Sequence, residues 1–374
     1  MKICMLTTTH NALDSRVFCK EAITLKSKYE DVTIIAPDIN NYYMVEGIKI
    51  IGITRADNLM QRYKLIDELL LKAKQVNADI YHFHDYEILL KIKKLKKSNP
   101  KCKLIYDVHE DFPDMMCMSN NIPHCAAFIM SKFVAATEKL IASSMDYVIT
   151  ADGAVEKRFL KINKNTKAIY NFPSIKMVML SQQDKKDFDI IYEGALTLER
   201  GIFELVKSIK IIKDTYKPDV KLLLLYSSMD SYVQNVVKQY IKDNNLIENI
   251  VFIDRVPHDE VFSYICRSKI GAVLLKPYKK YFKNIPIKQF EYMSCGIPVV
   301  GSDLPPISMF VNKYNSGIVV NPEDISEIAK SFIRLLKDDR MRTEMGLNGI
   351  YAIRQDFNWE NMSDSLLKIY NTFQ

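Results

Sequence analysis

Several common signatures are missing from this chain of 374 residues. No apolar run reaches the roughly 20 residues needed to span a bilayer, so any membrane role is peripheral. The spaced glycines of a dinucleotide fingerprint do not follow the first strand, and no phosphate loop ends in Gly-Lys-Ser/Thr, which demotes dehydrogenases and kinases. No repeat of solenoid length and no low-complexity tract occurs. The 7 cysteines, Cys4, Cys19, Cys102, Cys117, Cys125, Cys266 and Cys295, show no paired metal-ligand spacing and read as reduced packing thiols. The opening residues Met1 to Thr9 are too short and too polar at their far end for a secretory signal and read as a buried first strand. Together these features point to a cytoplasmic protein.

What is present is an ordinary globular composition, 48% hydrophobic and 26% charged, in a length that favours two domains with separate cores. The formal net charge of +7 is partly local. Lys91, Lys93, Lys94, Lys96, Lys97, Lys101 and Lys103 occur with no acid between Ile88 and Tyr106. Ile88, Ile92 and Leu95 share one helical face, so the segment reads either as an amphipathic helix resting on anionic lipid at the inner face of the membrane or as a solvated outer helix. Nucleic-acid binding is disfavoured, because Ile and Leu, not stacking aromatics, separate these charges. Met115, Met116, Met118 and Met130 with Phe128 and Phe133 form a second soft apolar segment, read as core packing or as an approach to lipid or a greasy acceptor.

Short apolar runs alternate with helical patterns. In the first half the order is Lys2 to Leu6, Arg16 to Lys28, Val32 to Ala36, Leu65 to Val76, Ile80 to Phe83, Leu104 to Val108, Phe128 to Ser143 and Tyr147 to Thr150. A second series follows Tyr170-Asn171-Phe172-Pro173. It has strands at Asp189 to Glu193, Lys221 to Tyr226, Ile250 to Ile253, Gly271 to Leu275 and Pro298 to Gly301, and helices at Ile202 to Thr215, Val233 to Asn244, Asp259 to Arg267, Ile287 to Cys295 and Ile325 to Asp338. This is the rhythm of doubly wound parallel sheets. The polar stretch Ser181 to Asp187 suits a linker or surface loop. The expectation is two α/β domains joined near Asn171, with ligands at the carboxyl edges of the strands and those edges facing across a cleft.

Lys288 to Asp303 is the most informative segment: a short helix, a Gly turn and a buried strand. Pro286 suits the first helical turn and Gly296 the left-handed exit. The helix start offers unpaired N–H groups to a diphosphate, Lys288 adds a point charge, and Glu291 lies one turn later, where a carboxylate can accept hydrogen bonds from ribose hydroxyls. Its alternative is a solvent-facing helical Glu; for Lys288 it is a solvated lysine. His109 ends an apolar strand among Asp107, Glu110, Asp111 and Asp114, and reads as a substrate group, a loop cap or a metal ligand. His82 and His84 alternate along one strand with Asp85 after them, and a satisfied core or cleft role is favoured over metal. The loop Thr8-Thr9-His10-Asn11-Ala12 lines the expected cleft, and Asp14 and Arg16 are placed to pair and hold its shape.

Taken in order, these elements resemble the family-4 retaining glycosyltransferases of GT-B fold. Glu291 to Val300 resembles the family's acidic helix followed by Gly-x-Pro-Val-Val, Asn11 to Leu25 its first loop and helix, and Tyr106 to Asp111 its His-bearing strand end. Gly194 to Gly201 resembles its diphosphate loop, and Phe357-Asn358-Trp359-Glu360 the entry to a last helix that crosses back to the first domain. The resemblance implies an acceptor domain over 1–171, a nucleotide-sugar domain over 172–356 and a terminal helix over 357–374. It implies a metal-independent transferase with no cofactor, whose partners are a nucleotide-sugar donor, most commonly UDP-linked, and a glycan or lipid-linked acceptor. His109 and Glu291 would act on the reacting sugar and Glu291 also on the nucleoside. Arg200, Lys288, Asn284, Ile285, Pro286 and Ile287 would hold diphosphate and sugar, Arg255 and Val256 the base, and His10, Asn11, Asp14, Arg16 and Asp85 the acceptor side. Two positions depart from the pattern: Lys283 stands where the family has a second Glu, and Ala195 where it has the first basic residue of the diphosphate loop. A nucleotide-sugar epimerase of the same fold and a non-catalytic binding subunit are the alternatives.

Overall fold

The computed structural model describes residues 1–56, 58–117, 123–176 and 185–374, without the side chains of His124, His258 and Asp259. Met118 and the Ser181 to Asp184 part of the expected linker lie outside the described residues. The chain divides into two compact units, Met1–Asn171 with Asn361–Gln374, and Phe172–Glu360.

The first unit is built on an eight-stranded sheet of β1 (Lys2–Leu6), β2 (Asp31–Pro37), β3 (Tyr42–Val45), β4 (Ile48–Ile53), β5 (Ile80–Phe83), β6 (Lys103–Val108), β7 (Tyr147–Thr150) and β8 (Thr166–Ala168). The order is β3-β4-β2-β1-β5-β6-β7-β8, parallel except for β3. Helices cover both faces of such a sheet, which is why its central strands are continuously apolar. β1 is buried from Ile3 on, with Cys4 opposite Thr33 on one side and Tyr81 on the other. The β3–β4 hairpin was not anticipated. Its signal is the pair Glu46-Gly47, both at positive φ, a two-residue turn of the type that closes twisted hairpins.

Of the two readings of the lysine-rich segment, the structure fits the solvated face. It folds as two short helical pieces, Tyr86–Leu89 and Lys93–Ser98, and Ile88, Ile92 and Leu95 are sealed in the core. Lys91 and Lys94 pair with Asp67, and Lys96 and Lys103 with Asp146. The acids missing from the local sequence arrive from other elements, and the apolar face has no lipid to meet.

The second unit has six parallel strands, β9 (Phe188–Glu193), β10 (Leu222–Leu225), β11 (Ile250–Ile253), β12 (Ser268–Val273), β13 (Val299–Ser302) and β14 (Gly317–Val320), in the order β11-β10-β9-β12-β13-β14. Strand order reverses between β9 and β12 here, and between β1 and β5 in the first unit. At such switch points successive crossovers leave in opposite directions and open a crevice at the carboxyl ends. Helices Pro305–Tyr314 and Asp339–Gln355 and strand β14 had no counterpart in the expected series. Phe172, Phe290, Phe310 and Phe357 pack ring on ring with centroids 4.8 to 5.5 Å apart, which holds Phe357 in the second unit. The last helix, Trp359–Asn371, belongs to the first unit from Asn361 on; Tyr370 is fully buried there, its hydroxyl 2.9 Å from His82 Nδ1.

Gly201 closes the loop after β9 in the left-handed region, φ +72°, and a Cβ there would stand 2.0 Å from the Leu274 carbonyl oxygen. Gly201→Ala is expected to cost about 2–4 kcal/mol, through both the backbone strain and the collision, measurable by urea unfolding.

Candidate functional site

In the second unit the chemistry gathers at the switch point. β9 ends at Glu193, and Gly194 follows at φ +110°, a conformation suited to glycine. A Cβ on Gly194 would lie 3.2 Å from Lys288 Nζ and 3.5 Å from Arg200 Nη1, so two cations close on the one residue without a side chain. Lys288 comes from the helix Lys288–Ser294, is only 6% exposed, donates to the Glu193 carbonyl oxygen and lies 3.9 Å from the Tyr192 ring centroid. Burial lowers its pKa to about 7 against the pull of Glu193, and the Arg200 charge lowers it further. Arg200 ends a single helical turn, Leu198–Arg200. Its charge is kept, against desolvation, by the hydroxyls of Tyr192 and Tyr281.

Glu291 lies one turn beyond Lys288 and is 7% exposed. Burial raises the Glu193 carboxyl well above the usual range, and the hydrogen-bonded Glu291 carboxyl raises it further. Two carboxyls in contact share a proton because both cannot ionise cheaply side by side. The result is a carboxyl that ionises reluctantly, beside two crowded cations. Tyr292 sets the frame: its hydroxyl accepts from the Glu193 amide at 3.0 Å, and only glycine at 271 leaves room for its ring.

Asn284, Ile285, Pro286 and Ile287 form the irregular stretch before this helix, partly buried up to Pro286, with Ile287 36% exposed. Arg255 and Val256 follow β11, the edge strand, which β10 separates from β9. Arg255 is exposed, and its amide donates to Asp254 Oδ1 at 2.6 Å. Sequence reasoning missed Glu193, Tyr192 and Tyr281. A carboxylate directly before a strand-end glycine was the available signal for Glu193; nothing local marked the tyrosines.

The first unit has its own polar centre at the ends of β1, β5 and β6. The expected Asp14–Arg16 side-chain pair does not form. Asp14 Oδ1 accepts from the amides of Arg16 and Val17 at 2.8 and 3.0 Å, and Oδ2 faces His10 Nδ1 at 3.3 Å. Arg16 instead runs inward, 4% exposed: Nη2 donates to both Asp107 oxygens at 3.2 and 3.0 Å, Nε lies 2.9 Å from Glu21, and Nη1 donates to the Ile169 carbonyl at 2.8 Å. A widened turn over Val17–Ala22 makes this possible by turning both Lys20 and Glu21 inward. Asp85 holds the loop after β1, accepting from Thr7 Oγ1 at 2.8 Å, the Thr8 amide at 2.7 Å and the Thr9 hydroxyl. Asn11 is exposed and accepts from Arg55 at 3.1 Å.

His109 Nε2 stands 3.0 Å from His84 Nδ1 and 3.6 Å from Asp107 Oδ2, and the His10 ring tilts against the His109 ring at 4.6 Å. Burial lowers His109, and lowers His84 to about 3, so both are neutral imidazoles near pH 7. His10 is raised, because Asp14 outweighs its desolvation. Glu21, His82, His84 and Asp107 also bring four ligand atoms within 4.8 Å of one another, with Nε2 of both histidines unbonded, a donor set a divalent cation would accept. The charges are already balanced, however. Burial and the neighbouring Asp107 raise Glu21 well above its usual range, whereas Arg16 holds Asp107 well below, against its burial. One cation thus faces one anion.

Residues 180–351 match the family model of glycosyl transferases group 1. Along the whole chain the fold is that of solved GT-B glycosyltransferases. Sucrose-phosphate synthase from Thermosynechococcus elongatus superposes with a TM-score of 0.77 at 16% identity, covering 100% of this chain and 99% of that one. Anabaena HepE in complex with UDP gives 0.70 at 15%, covering 100% of both. The matched residues lie within the second unit. Among curated proteins, a capsular polysaccharide biosynthesis glycosyltransferase of Staphylococcus aureus is 26% identical over 50% of this chain and 47% of its own length. The O-antigen chain mannosyltransferase B of Escherichia coli is 23% identical over 48% and 45%. The chain thus spans about half the length of these relatives.

Arg16→Met leaves Asp107 buried and unpaired and is expected to cost about 3–5 kcal/mol in urea unfolding. Lys288 gives a pH signature. Unfolded, it keeps its proton to the model value of 10.5; folded, it releases it near 7. The unfolded chain therefore binds more protons in that window, and wild-type stability rises with pH across it. Lys288→Met is expected to be more stable than wild type by roughly 1–4 kcal/mol at pH 7, with the gap shrinking towards pH 10.5 in calorimetry at stepped pH.

Proposed function

We propose that this chain is a retaining, metal-independent glycosyltransferase that moves a sugar from a nucleoside diphosphate donor to a glycan or lipid-linked acceptor, as in surface polysaccharide synthesis. The observation that carries the reading is the closure of Lys288 and Arg200 on Gly194, beside the Glu193–Glu291 pair. Charge growing on a departing diphosphate is stabilised best by preorganised cations in a site poor in water, and both cations are held in place before any ligand arrives. An entering diphosphate favours the protonated form of Lys288, so binding takes up a proton near neutral pH. Lys288 then supplies the positive charge that Ala195 lacks.

Glu291 accepts from the ribose hydroxyls. Asn284 and the backbone of Ile285 to Ile287 contact the donor sugar in place of the acid absent at 283, and the loop of Arg255 and Val256 meets the base. UDP is the favoured nucleotide, since a structural neighbour of this chain was solved with UDP and with UDP-glucose. His109, a neutral imidazole backed by His84 and Asp107, is a hydrogen-bonding partner for a sugar hydroxyl, and His10 and Asn11 lie on the acceptor side. Lys283 and Ala195 favour a second reading, a subunit that binds a nucleotide without turnover.

The test is the melting temperature with UDP, GDP, ADP and dTDP for wild type, Glu291→Ala and Arg200→Ala. One diphosphate at about 100 times its Kd is expected to stabilise the wild type by roughly 2.7 kcal/mol and both variants far less. No stabilisation by any of them sinks the donor site. Stabilisation without hydrolysis or transfer of the matching nucleotide-sugar supports the binding subunit.

A further inference from the structure

Two of the free thiols meet across a pair of helices in the second unit. Cys266 is the last residue of the helix His258–Cys266, and Cys295 directly follows the helix Lys288–Ser294, which carries Lys288 and Glu291. Cys295 Sγ stands 3.9 Å from the Phe262 carbonyl oxygen. In an α-helix that carbonyl accepts from the amide four residues on, here Cys266, so the Cys295 sulfur lies against the turn that ends in Cys266. The Cys295 S–H donates to the Cys266 sulfur. Cys266 is 3% exposed, whereas Cys295 is half-buried and reaches the surface. Lys186 joins them from a third segment, its Nζ donating to the Cys266 carbonyl oxygen at 2.6 Å. The hydrogen bond from Cys295, with the Lys186 charge added to it, draws the Cys266 thiol down against its burial.

We propose that Cys266 and Cys295 are a reversible oxidation site, which a hydroperoxide converts into a disulfide between the two helices. The Cys266 thiolate attacks one peroxide oxygen, the O–O bond breaks, and the departing hydroxide takes up a proton as water, leaving a sulfenic acid on Cys266. The Cys295 sulfur then attacks the Cys266 sulfur, the S–O bond breaks and a second water leaves. Two thiols thus give up two electrons and two protons, and one peroxide becomes two waters. A thiol reductant reverses the bond by exchange. Closing it brings the sulfurs from hydrogen-bond contact to about 2 Å. Both cysteines stand at helix ends, where the backbone has the fewest intrahelical bonds to lose in making that adjustment. The Cys295 amide bonds the Glu291 carbonyl oxygen at 3.2 Å, so the crosslink ties the helix of Lys288 and Glu291 to its neighbour. Oxidation thereby reaches the charged centre of the second unit without touching a group in it.

The test is peptide mapping of the full chain carrying Cys19→Ser/Cys125→Ser, which removes the two exposed thiols, after treatment with hydrogen peroxide and capping with N-ethylmaleimide. The expected product is a linked pair of peptides joining Cys266 to Cys295, lighter than its two parts by two hydrogen atoms. Dithiothreitol should return both cysteines to the capped form. With Cys295→Ser added, the Cys266 sulfenic acid loses the thiol that resolves it and should be captured by dimedone; the melting temperature of the reduced variant checks its fold, and the linked pair in the parent stands without it. Recovery of both cysteines as maleimide adducts after peroxide, oxidation of either one without the link, or a link that forms only between two chains overturns the proposal.

Discussion

Parallel strands deliver all their carboxyl ends to one edge, and in a doubly wound sheet the edge opens where the strand order reverses. That constraint places every group of chemical interest here. Glu193 and Gly194 leave β9 at the reversal in the second sheet, and Lys288 reaches them from the helix after the neighbouring strand β12. In the first sheet the reversal lies between β1 and β5, so the loop of Thr7 to His10 meets Asp85 and His84, and His109 joins from the end of β6.

The two centres handle buried charge differently. In the first unit Arg16 is matched to Asp107, while burial and Asp107 push the Glu21 carboxyl up and burial lowers His84. Such matching rigidifies a site, because removing either partner strands the other in a low dielectric. In the second unit Arg200 and Lys288 crowd each other, and burial together with Glu291 pushes the Glu193 carboxyl up despite the cations beside it. Burial, with the Arg200 charge added to it, lowers Lys288 to about 7, so it holds its proton loosely at neutral pH.

The fold was largely legible because buried parallel strands leave continuous apolar runs: Tyr147–Thr150, Ile250–Ile253 and the helix Ile202–Thr215 stand where the pattern puts them. The β3–β4 hairpin escaped because β3 is the edge strand, alternately exposed and half-buried, so its apolar run is broken. Within the second site, Lys288, Glu291 and Arg200 were visible as polar residues at helix starts and loop ends. Glu193 and the tyrosines were not, since their place comes from pairing across strands. The lysine-rich segment left two readings open for the same reason, as its counter-ions Asp67 and Asp146 are far along the chain.

By itself the sequence determined two doubly wound domains, the join near Asn171 and the acidic helix followed by a glycine turn and strand, because periodicity and turn chemistry are local properties. Only the tertiary structure decided which groups meet: that Arg16 passes over Asp14 for Asp107, that Lys288 and Arg200 meet at Gly194, and that the Cys295 thiol lies against Cys266. Electrostatic partners and solvent exposure depend on distances between residues remote in sequence, and those exist only once the chain has packed.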